Sequence, residues 1–351
     1  MLTITLHDLR YRARQFLIAV IGAGLVFAMA LLLTGLANSF QVEVDRTVDA
    51  IGVDAWILPE GSTGPFTSFG ALDAAKVDEV AALPGVEQAD PLVIIPTTTT
   101  IDGEVRSLRL IGHRLGGLGA PPDIVEGAAA EGPGEAVADE RLGVDVGDSI
   151  DLAGQEIQIV GKVTGLSLLG GTPNVYLSIE DAQQVAFQGA DIDTTIVTKG
   201  SPESPPEGLV VLSSEEVRDD TVHAMEDAIS SIDNSRMLMW IVASIIVAAL
   251  MYVSALQRMR DFAVLKSLGS SSLLLFFGVA VQAIIITLLA AGFAVGVSQL
   301  MKPMFALPIV LPTSAFVVLP IVAIVVGLLS SLVALRRAIG VDPSSAFAAA
   351  S

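Results

Sequence analysis

Two places in the chain combine residue types that could do chemistry. The first is residues 258–269, Arg-Met-Arg-Asp-Phe-Ala-Val-Leu-Lys-Ser-Leu-Gly, lodged between two uncharged runs. A short, charged, amphipathic segment between two membrane-length stretches must lie flat at one membrane face. The second is His223, Met225 and Glu226, clustered just before the apolar run that starts at Met237. Imidazole, thioether and carboxylate groups can all ligate a haem iron. The sharp reading is a ligand-facing edge where an amphiphile leaves the membrane; the plain one is a solvated helix face.

No other constellation offers catalysis. The chain has no Gly-x4-Gly-Lys-Ser/Thr loop, no His-Glu-x-x-His and no Gly-x-Ser-x-Gly. Its three histidines, His7, His113 and His223, are scattered. Gly116-Gly-Leu-Gly119 lacks dinucleotide spacing and reads as a flexible turn. There is no cysteine, which removes disulfides, thiolate metal sites and a lipid-anchored cysteine. A non-catalytic chain with no cofactor of its own is expected.

The elements that must position these residues are set by hydropathy. The chain is 52% hydrophobic and 16% charged, unlike a soluble domain. Four uncharged runs, at 15–42, 237–257, 267–301 and 303–335, each hold one span of about 20 helical residues. We expect spans at 16–37, 237–257, 272–300 and 314–335, with an interfacial helix over 1–15, a charged turn at 258–271, a loop at 301–313 and a tail at 336–351. A signal-peptide reading of the N-terminus is disfavoured by the length of the first run and the spans that follow. Gly22, Gly24 and the pair Gly292 and Gly296 are candidate close-packing points.

Charge orients the scaffold. Arg10, Arg12, Arg14, Arg258, Arg260, Lys266, Arg336 and Arg337 fall on one side and only Lys302 in the short loop opposite. The positive-inside rule puts both termini and the 258–271 turn in the cytoplasm. Residues 38–236, with 35 acidic and 10 basic groups, then lie outside the cell membrane. That acidity argues against nucleic acid as a partner.

The inserted region reads as mixed α/β. Strands are expected at 53–58, 86–100, 104–112, 149–152, 156–163, 174–179 and 194–198, with turns at Asp102-Gly103 and Ala153-Gly154. Helices are expected at 72–83, 179–187 and from Ser213, whose Ser-Ser-Glu-Glu fits a capping box. The last of these is expected to run on through Met225 towards the membrane. Residues 115–134, rich in Gly, Ala and Pro, read as a mobile connection.

One span, a large outer domain and three further spans resembles the FtsX-like permease family, which includes MacB-type ABC exporters. Residues 258–269 look like that family's stretch after the second span, often R-x-R-E-I-G-I-L-K-A-L-G, with Asp261 for Glu and Phe262-Ala263 for Ile-Gly. Leu335-Arg-Arg-Ala-Ile-Gly-Val-Asp-Pro at the end and the stretch from Glu135 to Thr164 also resemble family segments. Short size and the Thr34-Gly-Leu-Ala-Asn38 exit look most like DevC-like or HrtB-like members, the latter haem exporters. The resemblance implies a homodimer in the bacterial inner membrane, in contact with membrane lipids and bound to two cytoplasmic ABC ATPase subunits that carry ATP and Mg. It makes residues 258–270 the coupling helix. Phe262, Leu265 and Leu268 would anchor in an ATPase groove, Arg258, Arg260, Asp261 and Lys266 would fix the docking angle, and Gly269 is counted with these coupling residues. Export of an amphiphile such as haem, peptide, drug or lipid is one implied function, by levering of the outer domain rather than passage between helices. The alternative is an FtsX-like signalling subunit that regulates a cell-wall hydrolase outside. An adaptor protein is a further possible partner.

Overall fold

A computed structural model of the chain describes residues 13–257, 264, 271–305, 307 and 309–339. These form two compact units, one of residues up to Ser39 together with those from Ala228 onward, the other Phe40–Asp227. Residues 228–236, expected with the inserted domain, are therefore grouped with the helices.

In chain order the elements are α1 (Ala13–Ile51), β1 (Ala55–Pro59), β2 (Leu72–Asp73), α2 (Lys76–Ala81), β3 (Gln88–Ile101), β4 (Glu104–His113), β5 (Glu126–Gly127) and β6 (Glu135–Asp139). There follow β7 (Ser149–Leu152), β8 (Gln155–Val163), β9 (Asn174–Ser178), α3 (Ile179–Phe187), β10 (Ile192–Asp193), β11 (Thr195–Lys199), β12 (Leu209–Ser213) and α4 (Ser214–His223). The chain continues as α5 (Glu226–Gln257), α6 (Ser272–Met301) and α7 (Ala315–Ile339).

α1, α5, α6 and α7 each contain a stretch long and apolar enough to cross a membrane. Their contact surfaces are built from small residues, which lets helices approach closely where no hydrophobic effect drives them together. Ala19, Ala23, Ala243, Ala283, Ala290 and Ala323 are all buried in one cluster. Gly24 is a true close-packing point: a Cβ there would stand 2.6 Å from Phe293 Cδ1 and 3.0 Å from the Ala290 carbonyl oxygen. Gly22 is not, since its nearest neighbour is an ordinary 3.8 Å away, and among the described residues nothing lies within 4 Å of a Cβ at Gly292 or Gly296. The last turn of this part of α1 also holds the loop before α7. Asn38 Nδ2 donates to the Val310 carbonyl (3.0 Å) and the Val310 amide to Ser39 Oγ (2.9 Å).

The inserted unit is built on a ten-stranded sheet, in the order β12-β1-β11-β3-β4-β9-β6-β8-β5 with β7 paired to β8. The β4–β9 and β6–β8 pairs are parallel and the rest antiparallel. Its two hairpins turn on residues with positive φ, Asp102 (53°) with Gly103 (80°) and Ala153 (54°) with Gly154 (87°), the conformation that matches the twist of the flanking strands. Alternation in β7 and β8 puts Ile150, Leu152, Ile157 and Ile159 into the core, in one cluster with Ile179 and Ala182 of α3.

Three expectations are corrected. Helix α2 is shorter than 72–83, because Leu72 and Asp73 pair with β10 and Asp73 Oδ1 accepts from the Ala75 amide (2.9 Å), bending the chain before the helix starts. The helix from Ser213 does form its capping box, but α4 ends at His223. The Met225 amide bonds to the Val222 carbonyl, an i to i−3 contact that tightens the last turn, and α5 starts afresh with Glu226 and Asp227 at its N-terminus. Residues 115–134 are anchored rather than a free connection. Buried Asp90 accepts from Arg114 Nη1 (2.7 Å) and the Leu118 amide (2.9 Å), and β5 pairs with β8. Gly117 is there because a Cβ would come within 2.8 Å of Asp90 Oδ2.

Candidate functional site

α1 has 39 residues, about 58 Å at 1.5 Å per residue, so it outruns the apolar stretch that a bilayer needs. Its last twelve residues belong to the inserted unit. There the sequence places Phe40, Val44, Val48 and Ile51 on one stripe, and all four are buried. Gly52, at φ 65°, ends the helix in the left-handed conformation, with its amide on the Val48 carbonyl.

Beside that stripe sits Glu43, only 5% exposed. Its carboxylate accepts from Ser167 Oγ (3.0 Å) and from the Gly171 amide (3.2 Å), and Arg141 Nη1 lies 3.6 Å away. One turn on, Thr47 Oγ1 donates to the Ser167 carbonyl (3.2 Å). A buried carboxylate is tolerable only with such partners. The loop that supplies them is itself fixed. Leu168 and Thr172 exchange backbone hydrogen bonds, and the turn between them places Leu169, Gly170 and Gly171 at positive φ. Phe40 packs beside Gly170, where a Cβ would lie 3.6 Å from the ring. Asp139, fully buried, accepts from the Arg141 and Leu166 amides. Burial raises its pKa, against the lowering effect of those two bonds. On the exposed flank Arg218 of α4 pairs with Asp45 (3.7 Å) and with Asp49. The end of α1 is thus gripped on three sides by apolar packing, a buried carboxylate cluster and a surface ion pair. These contacts fix the end of α1 within the inserted unit.

The residues singled out from sequence fall elsewhere. His223 and Glu226 form a surface pair, Nδ1 to Oε2 at 2.7 Å, both side chains largely in solvent. Met225 is buried, so it does not share their exposed face. Arg258, Arg260, Asp261, Phe262, Leu265, Lys266, Leu268 and Gly269 lie outside the described residues. Glu43 and Thr47 were missed. The signal was the 40-44-48-51 spacing beyond the uncharged run, which Glu43, Asp45 and Asp49 disguise as solvated surface.

Four membrane-length helices with an α/β domain between the first and second define a polytopic membrane protein. Two family profiles match it, the MacB-like periplasmic core domain over residues 16–227 and the FtsX-like permease C-terminal region over 237–343. Two ABC transporter permeases of Mycobacterium tuberculosis and one of Mycobacterium bovis are each 38% identical over 349 residues, 99% of either chain. The chain belongs to the ABC transporter permeases of the FtsX and MacB type. Among solved structures, the periplasmic region of MacB from Actinobacillus actinomycetemcomitans matches with 11% identity and a TM-score of 0.35, over 50% of this chain and 96% of that one. The extracellular domain of the ABC-type transporter YknZ from Gram-positive bacteria matches with 12% identity and a TM-score of 0.33, over 46% and 99%.

Proposed function

We infer that the chain is the permease subunit of an ATP-driven exporter that works by mechanical transmission. The observation that carries this reading is the unbroken α1, apolar at one end and clamped through Glu43, Thr47 and Arg218 at the other. Separate cytoplasmic ATPase subunits, one per permease of a homodimer, would bind ATP and Mg and drive the segment at 258–270. Helix movement would reach the inserted domain through the joint. The uncharged runs carry no Lys, Arg, Asp or Glu, the groups that usually line a polar path through a membrane, which favours leverage over conduction. Both termini would lie in the cytoplasm and the inserted domain outside. Haem, peptides, drugs and lipids are the candidate cargo classes.

The test is ATP hydrolysis by the co-expressed ATPase in lipid nanodiscs, with and without haemin, peptides and lipids, for wild type and Leu265→Asp. We expect one ligand class to raise turnover and Leu265→Asp to abolish that response. An ATPase that fails to bind the wild-type chain would overturn the coupling assignment. Binding with no response to any ligand, together with capture of a cell-wall hydrolase by the inserted domain, would replace export by signalling.

A further inference from the structure

Within the helical unit there is a cavity of about 320 Å³, at the lower end of the range for small-molecule sites. Its walls come from α1 (Leu31, Thr34), α5 (Arg236, Trp240), Ser314 just before α7 and Val318 in its first turn. Arg236 is its sole charged lining residue and stands immediately before the uncharged run 237–257. The cavity therefore joins one cationic group to a mostly apolar lining, and in α5 that group stands where the uncharged run begins. Trp240, against the ring of Phe27 at 5.5 Å, forms its aromatic wall.

The polar groups select the charge of an occupant. Thr34 Oγ1 donates its hydrogen to the Ala30 carbonyl (2.9 Å), leaving the guanidinium as the strong donor. Arg236 Nη2 is 3.0 Å from Asp233 Oδ1, a half-exposed pair one turn away that solvent weakens. A guanidinium presents five N–H donors in a fork, so one carboxylate neighbour does not saturate it. A head group with two acceptor oxygens can take the rest of the fork while its chain lies against Leu31, Val318 and Trp240.

We propose that this cavity is a binding site for a single-chain anionic amphiphile, a carboxylate or phosphate on one alkyl tail, with Arg236 on the head group and Trp240 along the tail. Its volume of about 320 Å³ matches a head group and part of one chain. That the occupant is also the cargo rests on the export reading above; the binding itself does not.

The experiment uses the full chain, without ATPase, in phosphatidylcholine nanodiscs, so its outcome is independent of transport. Tryptophan emission is followed on adding a fatty acid brominated in mid-chain. The chain has two tryptophans, so the difference between wild type and Trp240→Phe isolates Trp240. We expect saturable quenching that Arg236→Gln weakens by at least about tenfold, as for loss of a charge-assisted hydrogen bond. Arg236→Lys should retain part of it. Asp233→Asn, which removes the competing carboxylate, should tighten binding several-fold, a gain that misfolding does not produce. Equal quenching by a brominated alkyl-trimethylammonium, indifference to Arg236→Gln, weaker binding in Asp233→Asn, or displacement of the fatty acid by phosphatidylglycerol would each overturn the proposal.

Discussion

At the scale of single residues, two of the buried carboxylates of the inserted unit, Glu43 and Asp193, differ in how they are satisfied. Glu43 is satisfied by Ser167, Gly171 and Arg141. Glu43→Ala strands those donors and should lower the stability of the unit by about 2–4 kcal/mol, read as a fall in its thermal midpoint. Glu43→Gln keeps one acceptor oxygen and should cost less. Asp193 is fully buried, with Gln183 Nε2 on Oδ1 (2.9 Å) and no hydrogen-bond partner for Oδ2 among the described residues. Burial pushes its pKa up to about 6, although the Gln183 bond draws it down. The unfolded group titrates near about 3.9, so the folded state holds the proton more tightly. Its contribution is fully present below about pH 4 and is lost as pH rises through about 6. Asp193→Asn should flatten the fall in melting temperature between those values and raise the midpoint at pH 7, a gain in stability of about 2–3 kcal/mol.

At the scale of elements, local chemistry read correctly wherever one residue pair decides the backbone. Asp102-Gly103 set the β3–β4 hairpin, and Ser213 with Glu216 set the start of α4. Ala153 shows the same rule under strain, since its φ of 54° is costly for a residue with a Cβ. Ala153→Asn should stabilise the hairpin by about 0.5–1 kcal/mol, measured by thermal unfolding. Legibility failed where the decisive partner is distant. The glycines at 116–119 suggest freedom by composition, yet Gly117 and the Leu118 amide fit against Asp90, more than 25 residues away. Nothing near Glu43 in sequence announces Ser167 and Gly171, 124 and 128 residues on. Glycine spacing in the spans was equally ambiguous until neighbours were known. Gly24→Val should force α1 and α6 apart and cost about 1–3 kcal/mol, seen as a lower melting temperature in detergent. Gly292→Ala and Gly296→Ala, with open space at both Cβ positions, should stay within about 0.5 kcal/mol of wild type.

At the scale of the whole molecule, the account depends on α1 carrying movement along its length. Gln41 is exposed on that helix, so its side chain can be replaced without disturbing the buried stripe. Proline there removes a helical hydrogen bond and kinks the helix, at about 3 kcal/mol, between the apolar stretch and the Glu43 joint. The most direct test is therefore cargo efflux alongside ATP hydrolysis for wild type, Gln41→Ala and Gln41→Pro with the partner ATPase in vesicles. Mechanical transmission predicts that Gln41→Ala behaves as wild type, while Gln41→Pro still binds the ATPase and hydrolyses ATP but exports little. Undiminished export by Gln41→Pro, with the kink verified by distance measurements on spin labels either side of residue 41, would contradict it.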